Sequence, residues 1–104
     1  MIKEILNDRK KKYGIFKGHA QITQNLKSIM RESPNWCRLS TAKKEALEMT
    51  VHKIGRILNG DPFYKDSWDD IIGYITLITD DPAEVFAEKE KEVEENAKVN
   101  TRNL

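Results

Sequence analysis

The apolar positions along this chain recur at helical spacing from one end to nearly the other. Ile2, Ile5 and Leu6 share a face, and Gly14 follows a basic run, so the spacing predicts a first helix over about 2–12. From His19, the positions Ile22, Leu26, Ile29 and Met30 predict a second helix over about 19–32. Ser33-Pro34-Asn35 ends it, because the residue before a proline avoids helical geometry. Trp36 and Leu39 fall in the connection, where they are expected to plug the edge of the core.

The most regular stretch is 41–79. Ser40 suits an N-cap, and Asn59-Gly60 is a usual helix stop, so a third helix is expected over 41–59. On a helical wheel, Leu47, Val51, Ile54 and Leu58 cluster on one side, widened by Ala46, Thr50 and Ile57. Glu45, Glu48, His52 and Arg56 lie opposite, with Lys53 at the margin. After the turn Asp61-Pro62-Phe63-Tyr64-Lys65, a fourth helix is expected over 66–80. Trp68, Ile71, Ile72, Ile75 and Ile78 cover more than half its circumference, so it is expected to be buried on most sides, either centrally in the fold or in a dimer interface. Asp81-Pro82-Ala83-Glu84 starts a charged fifth helix, about 82–97. The expected fold is all-α: one domain over 1–98, a small bundle of about five helices built around the 41–59/66–80 hairpin. Residues 99–104 are expected to be a disordered tail.

Composition narrows the function classes. The chain has 104 residues, with eighteen basic and seventeen acidic side chains and a formal charge of +1. That balance argues against nucleic acid and against an anionic membrane as partners. The one cysteine, Cys37, cannot form an internal disulfide, which fits a reducing cytoplasm. Met1 to Leu6 is too short and too charged for a signal peptide, and no apolar run approaches a membrane span. A core this small favours a homo-oligomer, a dimer or higher.

The candidate chemistry lies in two carboxylate pairs. Glu45 and Glu48 stand one turn apart on the third helix, and Asp66 and Asp69 repeat the spacing on the fourth. If the pairs converge, they suit Mg²⁺, which takes oxygen ligands and is often shared with substrate phosphates. Two such metals could activate water against a phosphoanhydride. Lys53 and Arg56 could hold phosphate oxygens. The tight turn sets Glu45 across from the far end of the fourth helix, so overlap needs offset helices or a second subunit. The competing reading is structural: Asp66 and Asp69 suit a helix N-terminus, and Glu48 and His52 suit ordinary surface pairing.

Two resemblances follow from these residues. Asp8-Arg9, Tyr13-Gly14, Lys53-Ile54-Gly55-Arg56 through Asn59-Gly60, and Asp66-Ser67 through Gly73-Tyr74 resemble the pattern of small tailed-phage proteins. This implies a phage product in the cytoplasm of an infected bacterium. Glu45-x-x-Glu48 and Asp66-x-x-Asp69 are similar in order and spacing to the motifs of MazG-like all-α nucleoside triphosphate pyrophosphohydrolases. That resemblance implies Mg²⁺ held by Glu45, Glu48, Asp66 and Asp69, which would also be the catalytic residues. Asp66 stands where that family has Glu, and its shorter arm reaches less far. Lys53, Arg56, Arg9 and Tyr74 are the candidates for contacting the nucleotide. The rival expectation is a non-catalytic phage protein that binds a host enzyme or sequesters a nucleotide signal.

Overall fold

A computed structural model describes residues 1–85. They form four α-helices: α1 (Ile2–Tyr13), α2 (Phe16–Glu32), α3 (Thr41–Asn59) and α4 (Lys65–Thr79). A 3-10 turn at Trp36–Arg38 links α2 to α3. Among the described residues there is no strand, and the fold is all-α as expected. The chain turns helical again at 82–85, where the Asp81 carboxylate accepts from the Ala83 N–H at 3.0 Å. The rest of the expected fifth helix and the 99–104 tail lie outside the described residues.

Three boundaries differ from the sequence reading. α1 runs on to Tyr13, and α2 begins at Phe16 with Ile15 as its cap, which shortens the connection between them to one glycine and its neighbour. α4 is capped by Tyr64 without a side-chain bond, so Asp66 sits inside the first turn instead of capping it. The Ser40 cap forms as expected, its hydroxyl accepting from the Lys43 N–H at 3.1 Å.

α3 is the spine. α2 packs on one of its flanks, where Gly55 admits His19 and Thr23 and where Arg31 reaches Glu48 at 3.2 Å. α4 packs on the opposite flank, antiparallel, with Lys53 bonded to Asp70 at 2.8 Å. α2 and α4 make no substantial contact with each other. The three helices therefore form one layer with α3 in the middle. The core is thin: Ala46, Val51 and Ile57 are its buried apolar side chains among the described residues, and none is fully enclosed. Within one chain α4 is not the central helix and is not buried on most sides. Only Ser67 is buried on it, while Trp68, Ile72, Ile75 and Leu77 are exposed, because a helix at the edge of a layer has a neighbour on one side only.

The free ends of the layer are tied at one corner. Asn59, the last residue of α3, donates both amide hydrogens, to the Tyr13 carbonyl at 3.0 Å and the Ile15 carbonyl at 2.8 Å. The Asp61 N–H donates to the Lys12 carbonyl at 2.8 Å. Gly14 makes the α1–α2 corner with φ of 77°, a left-handed conformation that glycine adopts without strain. Gly60 has no positive φ. It is required because a Cβ there would stand 2.2 Å from the Lys12 carbonyl oxygen. The sequence marks Gly60 as a helix stop, and the structure shows it as a contact point between two corners.

Two glycines give opposite expectations. A Cβ on Gly55 would lie 2.5 Å from the Thr23 methyl, whereas one on Gly73 meets nothing within 4 Å among the described residues. Gly55→Ala should destabilise by about 1–3 kcal/mol through overpacking, and Gly73→Ala should stabilise by about 0.5–1 kcal/mol. Urea unfolding followed by circular dichroism would separate the two.

Candidate functional site

The tied corner shapes a cleft of about 100 Å³ between α1, α2 and α3. Its walls are Arg9, Tyr13, Phe16, His19, His52 and Arg56, with the Gly14 backbone between them. Each wall has a local cause. Arg9 and Tyr13 lie one turn apart at the end of α1, so both face α3. Arg56 and His52 repeat that spacing on α3. His19 and Phe16 stand in the first turn of α2, which the Asn59 bonds hold against α3.

Two guanidinium groups gather at Tyr13. Arg56 lies over the ring at 4.0 Å from its centroid, and Arg9 approaches at 5.7 Å. Neither has a carboxylate partner among the described residues. The Tyr13 ring also meets Tyr64 edge to face at 6.1 Å. Tyr64 donates to Asp66 at 2.9 Å, and that bond pushes its phenol pKa up.

Two histidines close the inner end. His19 Nε2 and His52 Nδ1 stand 3.2 Å apart, so one hydrogen is shared between them. Their rings meet edge to face at 4.6 Å. Burial pushes both pKa values down, and the Arg56 charge adds to the effect. His52 falls to about 4. The pair is therefore neutral at physiological pH, and the arginines supply the positive charge. His19 Nδ1 is buried against the Gly55 backbone without a hydrogen bond of good geometry. Phe16 stacks on His19 at 6.1 Å and is 78% exposed, so its outer face is open.

The sequence-derived candidates divide. Arg9 and Arg56 meet in the cleft. Lys53 does not: it is buried and neutralised by Asp70. Tyr74 is half-buried on α4, away from the cleft. The four carboxylates do not meet within one chain. Glu48 turns toward α2 and Arg31, while Glu45 is exposed. Asp69 pairs with Lys65 and Asp66 with Tyr64 on the surface of α4. The Lys53–Asp70 pair fixes the register. Glu45 lies about two turns to one side of it and Asp66 about one turn to the other, roughly 16–18 Å apart along the axis. Among the described residues, no three His, Cys, Asp or Glu side chains gather as a metal site. The donor set thus does not fit Mg²⁺ in a single chain.

Residues 2–80 match the family DUF6378, described as a domain of unknown function. The chain belongs to that family. No curated protein and no solved structure matches it. The DUF6378 match spans α1 to the end of α4 and so contains the whole cleft.

Tyr13, His19 and Phe16 were not among the sequence-derived site residues. The available signal was His19 itself, a polar side chain starting the apolar stripe of Ile22 and Leu26. In the DUF6378 cleft, protonating His52 requires acid. Its folded pKa lies below the unfolded value of 6.5, so the unfolded state binds the extra proton between pH 6.5 and about 4. Stability should therefore be fully present above pH 6.5 and decline as pH falls toward 4. Proton NMR titration should show the His52 ring titrating near 4, and a value near 6.5 would remove the buried pair from the account.

Proposed function

We propose that this DUF6378 protein binds nucleotides by their phosphates in the α1–α2–α3 cleft and holds them without hydrolysis. The observation that carries this reading is the pair of guanidinium groups, Arg9 and Arg56, brought to one aromatic ring with no carboxylate among the described residues to neutralise them. Planar guanidinium groups match phosphate oxygens in geometry and charge.

The size of the cleft supports a division of labour. A space of about 100 Å³ takes a phosphate group but not a whole nucleotide. The open face of Phe16 at its mouth is suited to stacking a base outside. Hydrolysis of the MazG type would need Glu45, Glu48, Asp66 and Asp69 around Mg²⁺, and their separation favours sequestration over turnover. The phage-like pattern suggests a setting, the cytoplasm of an infected bacterium, where a captured nucleotide signal would be withdrawn from use.

Calorimetry with ATP and with pyrophosphate tests the proposal. Arg9→Gln should weaken both ligands by about ten- to a hundredfold, the loss of a charge-assisted bond or two. Phe16→Ser should weaken ATP and leave pyrophosphate unchanged. Absence of binding at millimolar ligand would sink the reading. Mg²⁺-dependent release of pyrophosphate from ATP, abolished by Asp69→Asn, would replace it with the hydrolase.

A further inference from the structure

The layer has two unlike faces. One carries the cleft, Glu45, the Arg31–Glu48 pair and the Lys53–Asp70 pair. The other can be read from the same wheels at about 100° per residue. On α3, Leu47, Ile54 and Leu58 lie opposite Arg56. On α2, Ile29 lies on the flank opposite Arg31. On α4, Ile72 and Ile75 lie on the flank opposite Asp70. A groove of about 150 Å³ lined by Leu39, Lys43, Ala46, Leu47, Ile75 and Ile78 joins the α3 and α4 stripes on this side. The stripes therefore merge into one apolar face across three helices. Its members are open: Ile29 is 64% exposed, Leu58 66%, Ile72 65%, Trp68 52% and Ile75 38%.

We infer that this face is the interface of a symmetric dimer, with a second copy of the chain laid layer against layer. A helical domain closes its core between two layers, and the described residues supply one. The five exposed side chains open on the order of 500–600 Å², at the upper limit of what a monomer leaves uncovered. Two copies face to face hide about twice that, which passes the roughly 1,000 Å² a specific interface needs. A two-fold axis pairs the patch with itself, so no second complementary surface is required. The chain beyond Val85 is a poor rival occupant. It offers Phe86, Val93, Val99 and Leu104 among Glu and Lys residues. In the dimer the two clefts face outward and stay accessible. The assembly stands whether or not the cleft binds nucleotides.

Sedimentation equilibrium of the full chain tests this. The parent should sediment at twice the chain mass at micromolar concentration. Ile72→Glu and Ile29→Glu, on two different helices, should each give a monomer with unchanged helical circular dichroism. Phe63→Ser, in the exposed turn outside the face, should remain a dimer. Mixed labelled and unlabelled parent chains should give intermolecular NOEs among the methyls of this face, a readout that needs no variant. A parent that is monomeric at high micromolar concentration would overturn the inference, whether residues 86–104 or nothing covers the face. A dimer that survives both substitutions would overturn it too, since the contact would then lie elsewhere.

Discussion

The two amide hydrogens of Asn59 hold the architecture at its one crowded point. The corner between α1 and α2 leaves the Tyr13 carbonyl without a helical partner and the Ile15 carbonyl with the His19 N–H at 3.2 Å, and a single side chain at the end of α3 donates to both. No shorter or branched residue could span them, and no carboxylate could donate. The packing around the amide is as tight as the bonding. Gly14 and Gly18 both stand where a Cβ would collide with Asn59, and Gly60 stands where one would collide with Lys12. With the corner fixed, Tyr13 becomes a platform between α1 and α3, and Arg9 and Arg56 have one place to converge. The cleft is thus a consequence of how the helices are tied, not of a motif in any one of them.

The same tie explains the shape of the layer. α1 buries none of its residues and is held only through its last turns. α2 and α4 each rest on α3 and not on each other, so the apolar content of α4 exceeds what α3 can cover. The excess apolar surface lies on one side, and the cleft arginines and the two interhelix ion pairs lie on the other. The half-buried Lys53–Asp70 pair contributes little net stability, since desolvation offsets much of the attraction. It does fix the register of the hairpin, and through it the separation of the two carboxylate pairs.

Much of this was legible in the sequence. Helical periodicity located four helices to within a few residues, and the Ser40 cap and the Asp81 start were correctly read from their side chains. The place of α4 at the edge of the layer was not legible, because a wheel reports which faces are apolar and not how many neighbours exist to cover them. The cleft was half legible. Arg9 and Arg56 were candidates, but their meeting depends on Asn59 reaching across to the α1–α2 corner, a contact between residues more than forty positions apart. Glu-x-x-Glu and Asp-x-x-Asp share a spacing with metal-binding motifs, yet spacing along a helix leaves the direction of each face unspecified. Here one pair is divided between Arg31 and solvent, and the other is held on the surface of α4.

The most direct measurement is the binding of pyrophosphate to an Asn59→Asp chain, followed by NMR of the His19 and His52 rings. The substitution keeps size and shape and removes the two donated bonds. If Asn59 builds the cleft, the variant should lose at least about tenfold in affinity, equivalent to about 1.4 kcal/mol, while keeping its helices and its mass in solution. Unchanged affinity with both ring signals still shifting on titration would contradict the account, because the anion site would then exist without the interaction said to create it.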